Sequence, residues 1–428
     1  MSRPSVPYSV RDQHVYIPGK TRHGKTTLMH RMVCQDIRNG AGVTVIDPKG
    51  DFVPDILDSI PPRRRDDVIA ISLDNPVPID FLDYRNDDEK EALLGEVKYL
   101  ITKGTGPEHA PLMNSLIINL FYTLIDYNEN PKTLPEDRAT LLDMHYFLSN
   151  EGRRKKILSG LLDKDLINKW ENDFPNPKDR APTIIRMDPF IHSKSLTKIF
   201  GCPNPKLNIP WVMDNRKILL VSIGGLSEIK EMFGTILLAK IQQAMFRRAA
   251  LLPRERVPHF LYVDELQNCQ TAKFNEMLSM AGGYGLRLCL ANQFLHQLDD
   301  VVKRSIFGNV STYIVFAMAA DETNAFKTIA YPYDHQEIAR LPQYRALFKI
   351  AQEPEATFQN TLPPPTTKPA DSPADLIRKR TIEQYACPAR KDVPPDLPPD
   401  LESKRDDSGP TKPFHFNQGK TRGPGHPR

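Results

Sequence analysis

Gly19-Lys20-Thr21-Arg22-His23-Gly24-Lys25-Thr26-Thr27 is a stretch whose residue types and spacing could hold a phosphate chain. Two glycines separated by four residues let backbone N–H groups close around an anion through conformations that a side chain would block. A lysine and a threonine follow at once, where a helix would open and its dipole would favour negative charge. In that arrangement Lys25 reaches the β- and γ-phosphates, and Thr26 offers its hydroxyl to Mg²⁺. Hydrolysis needs a second, acidic site at the end of a neighbouring strand. "HFLYVDELQN" at 259–268 supplies one: an apolar run that closes on Asp264, to orient the metal, and Glu265, the candidate base. Standing alone, such a pair is a solvated strand end, and the upstream loop gives it its catalytic meaning. A third run, "RLCLANQ", ends in Asn292 and Gln293, where a neutral amide could sense the γ-phosphate or align water, or serve as an ordinary loop amide.

These residues need a frame to bring them together, and hydropathy patterning describes one. Short apolar runs occur at 14–19, 42–50, 67–73, 217–225, 259–265, 286–293, 311–318 and 346–351. Between the first two, Leu28, Met32 and Ile37 recur near helical spacing, and Asn39-Gly40 is a helix stop. Continuous apolar strands alternating with helices predict an α/β fold with a mainly parallel central sheet covered on both faces. From 86 to 210 the pattern is helical throughout, with proline-rich connections, and predicts an inserted all-α domain. Residues 1–85 and 211–360 are then the two halves of the sheet domain. After Thr361 the chain turns low in complexity: 14 of its 39 prolines fall in the last 68 residues, which predicts a disordered Pro-rich tail over 361–428.

Composition narrows the function classes. At 40% apolar and 26% charged, the 428-residue chain has the makeup of a soluble globular protein. Its longest apolar run, at 111–125, is interrupted by Asn114, Ser115 and Asn119 and is shorter than the roughly 18–20 residues that span a bilayer. The N-terminus lacks the pattern of a secretory signal, so a cytoplasmic location without a membrane anchor of its own is expected. Five scattered cysteines, none in a CxxC pair, argue against a zinc site or a disulfide framework. The net charge is +4, and 12 Lys and Arg against 9 Asp and Glu lie from residue 361 onward. The body is therefore almost neutral and carries no charge signature of nucleic acid.

"GKTRHGKT", "VTVIDPKGDF", "FLYVDELQN", "MLSMAGGYGLRLCLANQFLHQL" and "IFGNVSTYIVF" resemble, in this order, motifs of the type IV secretion coupling ATPases of the TraG/TraD class, which are related to the HerA and FtsK translocases. The resemblance runs from about 14 to 350 and includes the helical insertion. It implies a RecA-like P-loop NTPase fold, with ATP and Mg²⁺ as cofactors. Lys25, Thr26, Asp264, Glu265 and Gln293 match residues that bind and hydrolyse ATP, and Asp47, Lys49 and Gly50 match a strand end that positions the loop. The resemblance also implies hexameric rings that drive DNA through a central channel, in conjugative transfer or mobilisation. A ring multiplies a few cationic side chains per subunit sixfold, which reconciles a near-neutral body with a DNA substrate.

This chain departs from the class in having Gly282, Tyr313 and Ala317 where many relatives carry arginine, with Arg287 and Arg304 as possible substitutes for an arginine finger. It also lacks the usual membrane helices, so a secretion-channel partner would supply any peripheral attachment to the inner membrane. The tail could recruit that partner or a relaxase. The alternatives are a HerA-like DNA-end-processing translocase, a motor whose cargo is protein, and a nucleotide-dependent scaffold without turnover.

Overall fold

The computed structural model describes residues 6–102, 110–225, 227–269, 271, 273–364 and 371–387. Nine strands form one sheet in the order β3-β4-β2-β5-β6-β1-β7-β8-β9. They are β1 Val15–Pro18, β2 Gly42–Asp47, β3 Val68–Ser72, β4 Ile218–Ser222, β5 His259–Val263, β6 Leu286–Asn292, β7 Thr312–Val315, β8 Arg345–Lys349 and β9 Thr357–Asn360. Pairing is parallel from β3 through β7 and antiparallel at β8 and β9, as expected of a mainly parallel sheet. The eight apolar runs became the first eight strands. β9, "TFQN", has no apolar run to mark it and is partly exposed at the sheet edge.

The helices are α1 Lys25–Arg38, α2 Phe52–Asp58, α3 Asp87–Thr102, α4 Ala110–Glu129, α5 Asp143–Ser149, α6 Glu151–Ser159, α7 Lys164–Asn172, α8 Pro177–His192, α9 Lys194–Phe200, α10 Ile209–Asp214, α11 Ser227–Arg247, α12 Phe274–Met280, α13 Asp300–Asn309 and α14 Ala374–Tyr385. Successive strand residues point to opposite faces, so each strand feeds two cores. Val43, Val45, Ile218, Leu220, Phe260 and Tyr262 pack with α1, α2 and α14. Ile46, Leu219, Val221, Leu261 and Val263 pack with the helices of the other side.

Helices α3 to α10 lie between β3 and β4, and no strand falls there among the described residues. Cap residues divide this stretch into short helices. The side chains of Asn150, Asp163, Asn176, Ser193 and Asn208 each accept a backbone N–H from the helix that follows. No helix among the described residues is long and apolar enough to cross a membrane.

Two expectations need correction. The tail does not begin at 361 as an unstructured segment, because α14 folds back onto β3 and buries Ala374, Ile377, Thr381 and Tyr385 at helical spacing. The Thr381 hydroxyl accepts the Ala70 N–H at 3.3 Å. Proline-rich flanks hide this amphipathic stripe when composition is averaged over the whole tail. The disorder expected of 388–428 lies outside the described residues.

The second correction concerns the cysteines, since Cys202 and Cys387 form a disulfide across 185 residues. Local spacing carries no signal for such a pairing, because it depends on where α14 docks. Cys34, Cys269 and Cys289 are buried thiols.

Candidate nucleotide-binding site

The loop from Gly19 to Thr26 rises from the end of β1, between β6 and β7. Gly19 N–H donates to the Asn292 carbonyl at 3.2 Å and Lys20 N–H to the Ala317 carbonyl at 2.7 Å, so both neighbouring strands hold its mouth. Gly24 has φ +113° and leads directly into α1, whose start has no side-chain cap. Gly19 is excluded from substitution by space as well: a Cβ there would lie 2.6 Å from Phe316 Cβ. These are the conditions for backbone N–H groups to face an anion at a helix start.

Lys25 is buried, and its ammonium donates to the carbonyls of Gly19 at 2.5 Å and Lys20 at 3.1 Å. Burial lowers its pKa, against the raising influence of Asp264 and Glu265. Thr26 Oγ1 lies 3.3 Å from Asp264 Oδ2, across 238 residues of sequence. Asp264 directly follows β5 and is 1% exposed. Burial, with the Glu265 charge beside it, pushes its carboxyl up to about 6. A carboxylate so placed is short of positive charge, and one carboxylate with one hydroxyl suits Mg²⁺, which keeps waters and phosphate oxygens in its remaining positions. No cluster of three or more His, Cys, Asp or Glu ligands occurs among the described residues.

Glu265 adopts φ +51° and forms an ion pair with Lys49. It also accepts the Gln267 amide at 2.5 Å. Burial acts to raise its pKa, but these two donors and Lys25 hold it below the usual carboxylate value. Lys49 reaches it from a turn built by Asp47. The Asp47 carboxylate accepts the N–H groups of Lys49 at 3.1 Å, Gly50 at 2.8 Å, Phe52 at 2.8 Å and Val53 at 3.0 Å.

Gln293 Nε2 donates to Thr21 Oγ1 at 3.3 Å, which places the amide against the loop. Asn292, beside it, is fully buried; it accepts the Tyr16 hydroxyl and donates to the Phe294 carbonyl. His23 bonds the Thr21 carbonyl at 2.9 Å, while Arg22 takes φ +62° at the exposed tip and Thr27 is half-buried on α1. The loop residues, Asp264, Glu265 and Gln293 thus meet at the carboxyl ends of β1, β5 and β6, with Lys49 reaching them from the end of β2. The Lys49–Glu265 pair was missed, although Lys49 stood inside a recognised motif. So were Gln343, whose amide donates to the Arg22 carbonyl at 2.7 Å, and Tyr344, whose N–H donates to the His23 carbonyl at 2.9 Å. Nothing in the local sequence marks those two.

One departure from the arginine pattern has a steric reason. A Cβ on Gly282 would meet the Asp12 carbonyl at 2.5 Å, because the 3-10 turn Tyr8–Gln13 lies on that position. Arg287 is paired with the Asp12 carboxylate. Tyr313 and Ala317 are buried, and Arg304 is exposed on α13.

Residues 258–328 match the family model described as the TraM recognition site of TraD and TraG. Among solved structures, the chain is similar to the bacterial conjugative coupling protein TrwBΔN70 in its unbound form, with TM-score 0.61, 15% identity and coverage of 86% of this chain and 88% of that one. The fold is that of a conjugative coupling protein. The plasmid coupling protein TrwB in complex with ADP and Mg²⁺ superposes with TM-score 0.60 at 16% identity, over 86% of this chain and 91% of that one. VirB4 of Thermoanaerobacter pseudethanolicus follows with TM-score 0.57 at 13% identity, over 82% and 90%. No curated protein matches the chain by sequence. The likeness in fold thus stands at 15–16% identity to the coupling-protein structures.

Proposed function

We propose that this chain is a Mg²⁺-dependent ATPase that assembles as a ring and translocates DNA, as a coupling-protein-like component of conjugative transfer or mobilisation. The observation that carries the reading is the convergence of Lys25, Thr26, Asp264 and Glu265, four residues from two distant motifs, on one side of a glycine loop. The TrwB complexes with ADP and Mg²⁺ and with a non-hydrolysable ATP analogue support the choice of ligand.

Gly19 to Thr26 would wrap the phosphates, and Lys25 would exchange its two carbonyl partners for phosphate oxygens. Thr26 and Asp264 would hold Mg²⁺, which when bound neutralises charge on the β- and γ-phosphate oxygens. Glu265 would polarise the attacking water, and Gln293, bonded to the loop at Thr21, would report on the γ-phosphate. Residues near the ring axis would grip the DNA backbone.

Steady-state ATP hydrolysis with and without single- and double-stranded DNA tests this. DNA should stimulate turnover. Glu265→Gln should reduce kcat about 10²-fold or more while leaving ATP binding intact, and Lys25→Ala should abolish binding. Turnover indifferent to both DNA and Glu265→Gln would favour a nucleotide-dependent scaffold instead.

A further inference from the structure

We propose that the ring of Tyr344 is the platform for the nucleobase, an assignment that rests on the nucleotide reading of the Gly19–Thr26 loop. The sheet order sets the direction of a bound triphosphate. β1 carries the loop between β6 and β7, and β5, which is followed directly by Asp264 and Glu265, lies on the β6 side. Thr26 faces Asp264 at 3.3 Å, so the terminal phosphoryl group points toward β5. Sugar and base, at the other end of the molecule, then run toward β7 and β8.

On that side the loop meets Tyr344, immediately before β8. The ring lies against the loop: a Cβ on Gly24 would stand 2.9 Å from Tyr344 Cδ1. Phe316 also touches this point but is fully buried, whereas Tyr344 is half-buried. Three hydrogen bonds fix its position. Tyr344 N–H donates to the His23 carbonyl at 2.9 Å, Thr361 N–H to the Tyr344 carbonyl at 2.6 Å, and the neighbouring Gln343 amide to the Arg22 carbonyl at 2.7 Å. They hold Tyr344 at φ +59°, a left-handed conformation that a bulky residue seldom adopts and that concentrates at ligand sites. A ring stacked on a base reads its π face and not its hydrogen-bonding edge. The ligand class is therefore a nucleoside triphosphate, with little choice between adenine and guanine.

Calorimetric titration of the full chain with ATP, GTP and inorganic tripolyphosphate, each with Mg²⁺, tests the assignment. Wild type should bind ATP and GTP with similar affinity, and both about tenfold or more tighter than tripolyphosphate. Tyr344→Ala should lose about tenfold for ATP and nothing for tripolyphosphate, while Tyr344→Phe should retain the preference. Unchanged tripolyphosphate binding reports an intact loop. Equal affinities of wild type for ATP and tripolyphosphate, or equal weakening of both by Tyr344→Ala, would overturn the platform and leave Tyr344 as a buttress of the loop. If wild type binds neither ligand, the nucleotide reading itself fails, and the platform with it.

Discussion

Asp47 shows how one side chain organises the approach to the acids. Its carboxylate is fully buried and receives four backbone N–H groups, which shape the turn that carries Lys49 to Glu265. Burial raises its pKa despite these donors. Asp47→Ala would strand several donors in the interior, and the expected loss is about 3 kcal/mol of stability, read as a lower urea midpoint at unchanged m-value. Because the turn also aims Lys49, ATP turnover should fall under conditions where the variant is still folded. Lys25, Thr26, Asp264 and Gln293 were legible as chemistry because each sits in a short motif with its own spacing rule. Tyr344 was not, since it reaches Gly24 only through the placement of β8 across 320 residues of chain.

At the scale of elements, the strand starts carry a pH dependence of their own. His14, just before β1, accepts the Leu288 N–H at Nδ1 and donates from Nε2 to the Leu278 carbonyl, a pattern that requires the neutral ring. Burial lowers its pKa to about 4 and that of His259, at the start of β5, to about 3. An unfolded histidine takes up its proton near pH 6.5, so below that pH the unfolded state binds more protons and stability falls. The expected loss at pH 5 relative to pH 7 is about 2 kcal/mol for each histidine. Urea unfolding at the two pH values checks this, and His14→Gln and His259→Gln should each flatten the dependence.

Helix α14 is a second element with a measurable contribution. Ile377 is fully buried against the β3 side of the sheet, and Ile377→Ala should cost about 3 kcal/mol. A non-reducing digest should yield Cys202 and Cys387 in one linked peptide that separates on reduction. Strands were easy to read because parallel, doubly covered strands are continuously apolar. α14 was hard to read because its buried stripe is interrupted by charged residues and bounded by prolines.

At the scale of the whole molecule, the proposed ring would let a near-neutral body grip DNA by repeating a few cationic side chains. Particles sized with ATP analogue and Mg²⁺ should elute as a multimer, and DNA-stimulated ATPase should coincide with that peak and not with monomer. Activity confined to monomer would sink the ring. Deletion of 388–428, which spares α14, should leave the ATPase intact; a partner-recruiting tail would then show as loss of transfer alone.

Read by itself, the amino-acid sequence determined the mainly parallel sheet, the helical stretch between its two halves and the loop that can take phosphate. These depend on local periodicity and on residue types over a few positions. Tertiary structure alone decided the meeting of Thr26 with Asp264, the pairing of Lys49 with Glu265 and the bond between Cys202 and Cys387, and it set Tyr344 against Gly24. Those contacts follow from strand order and helix docking, and a crossover connection places residues side by side without leaving a trace in the spacing between them.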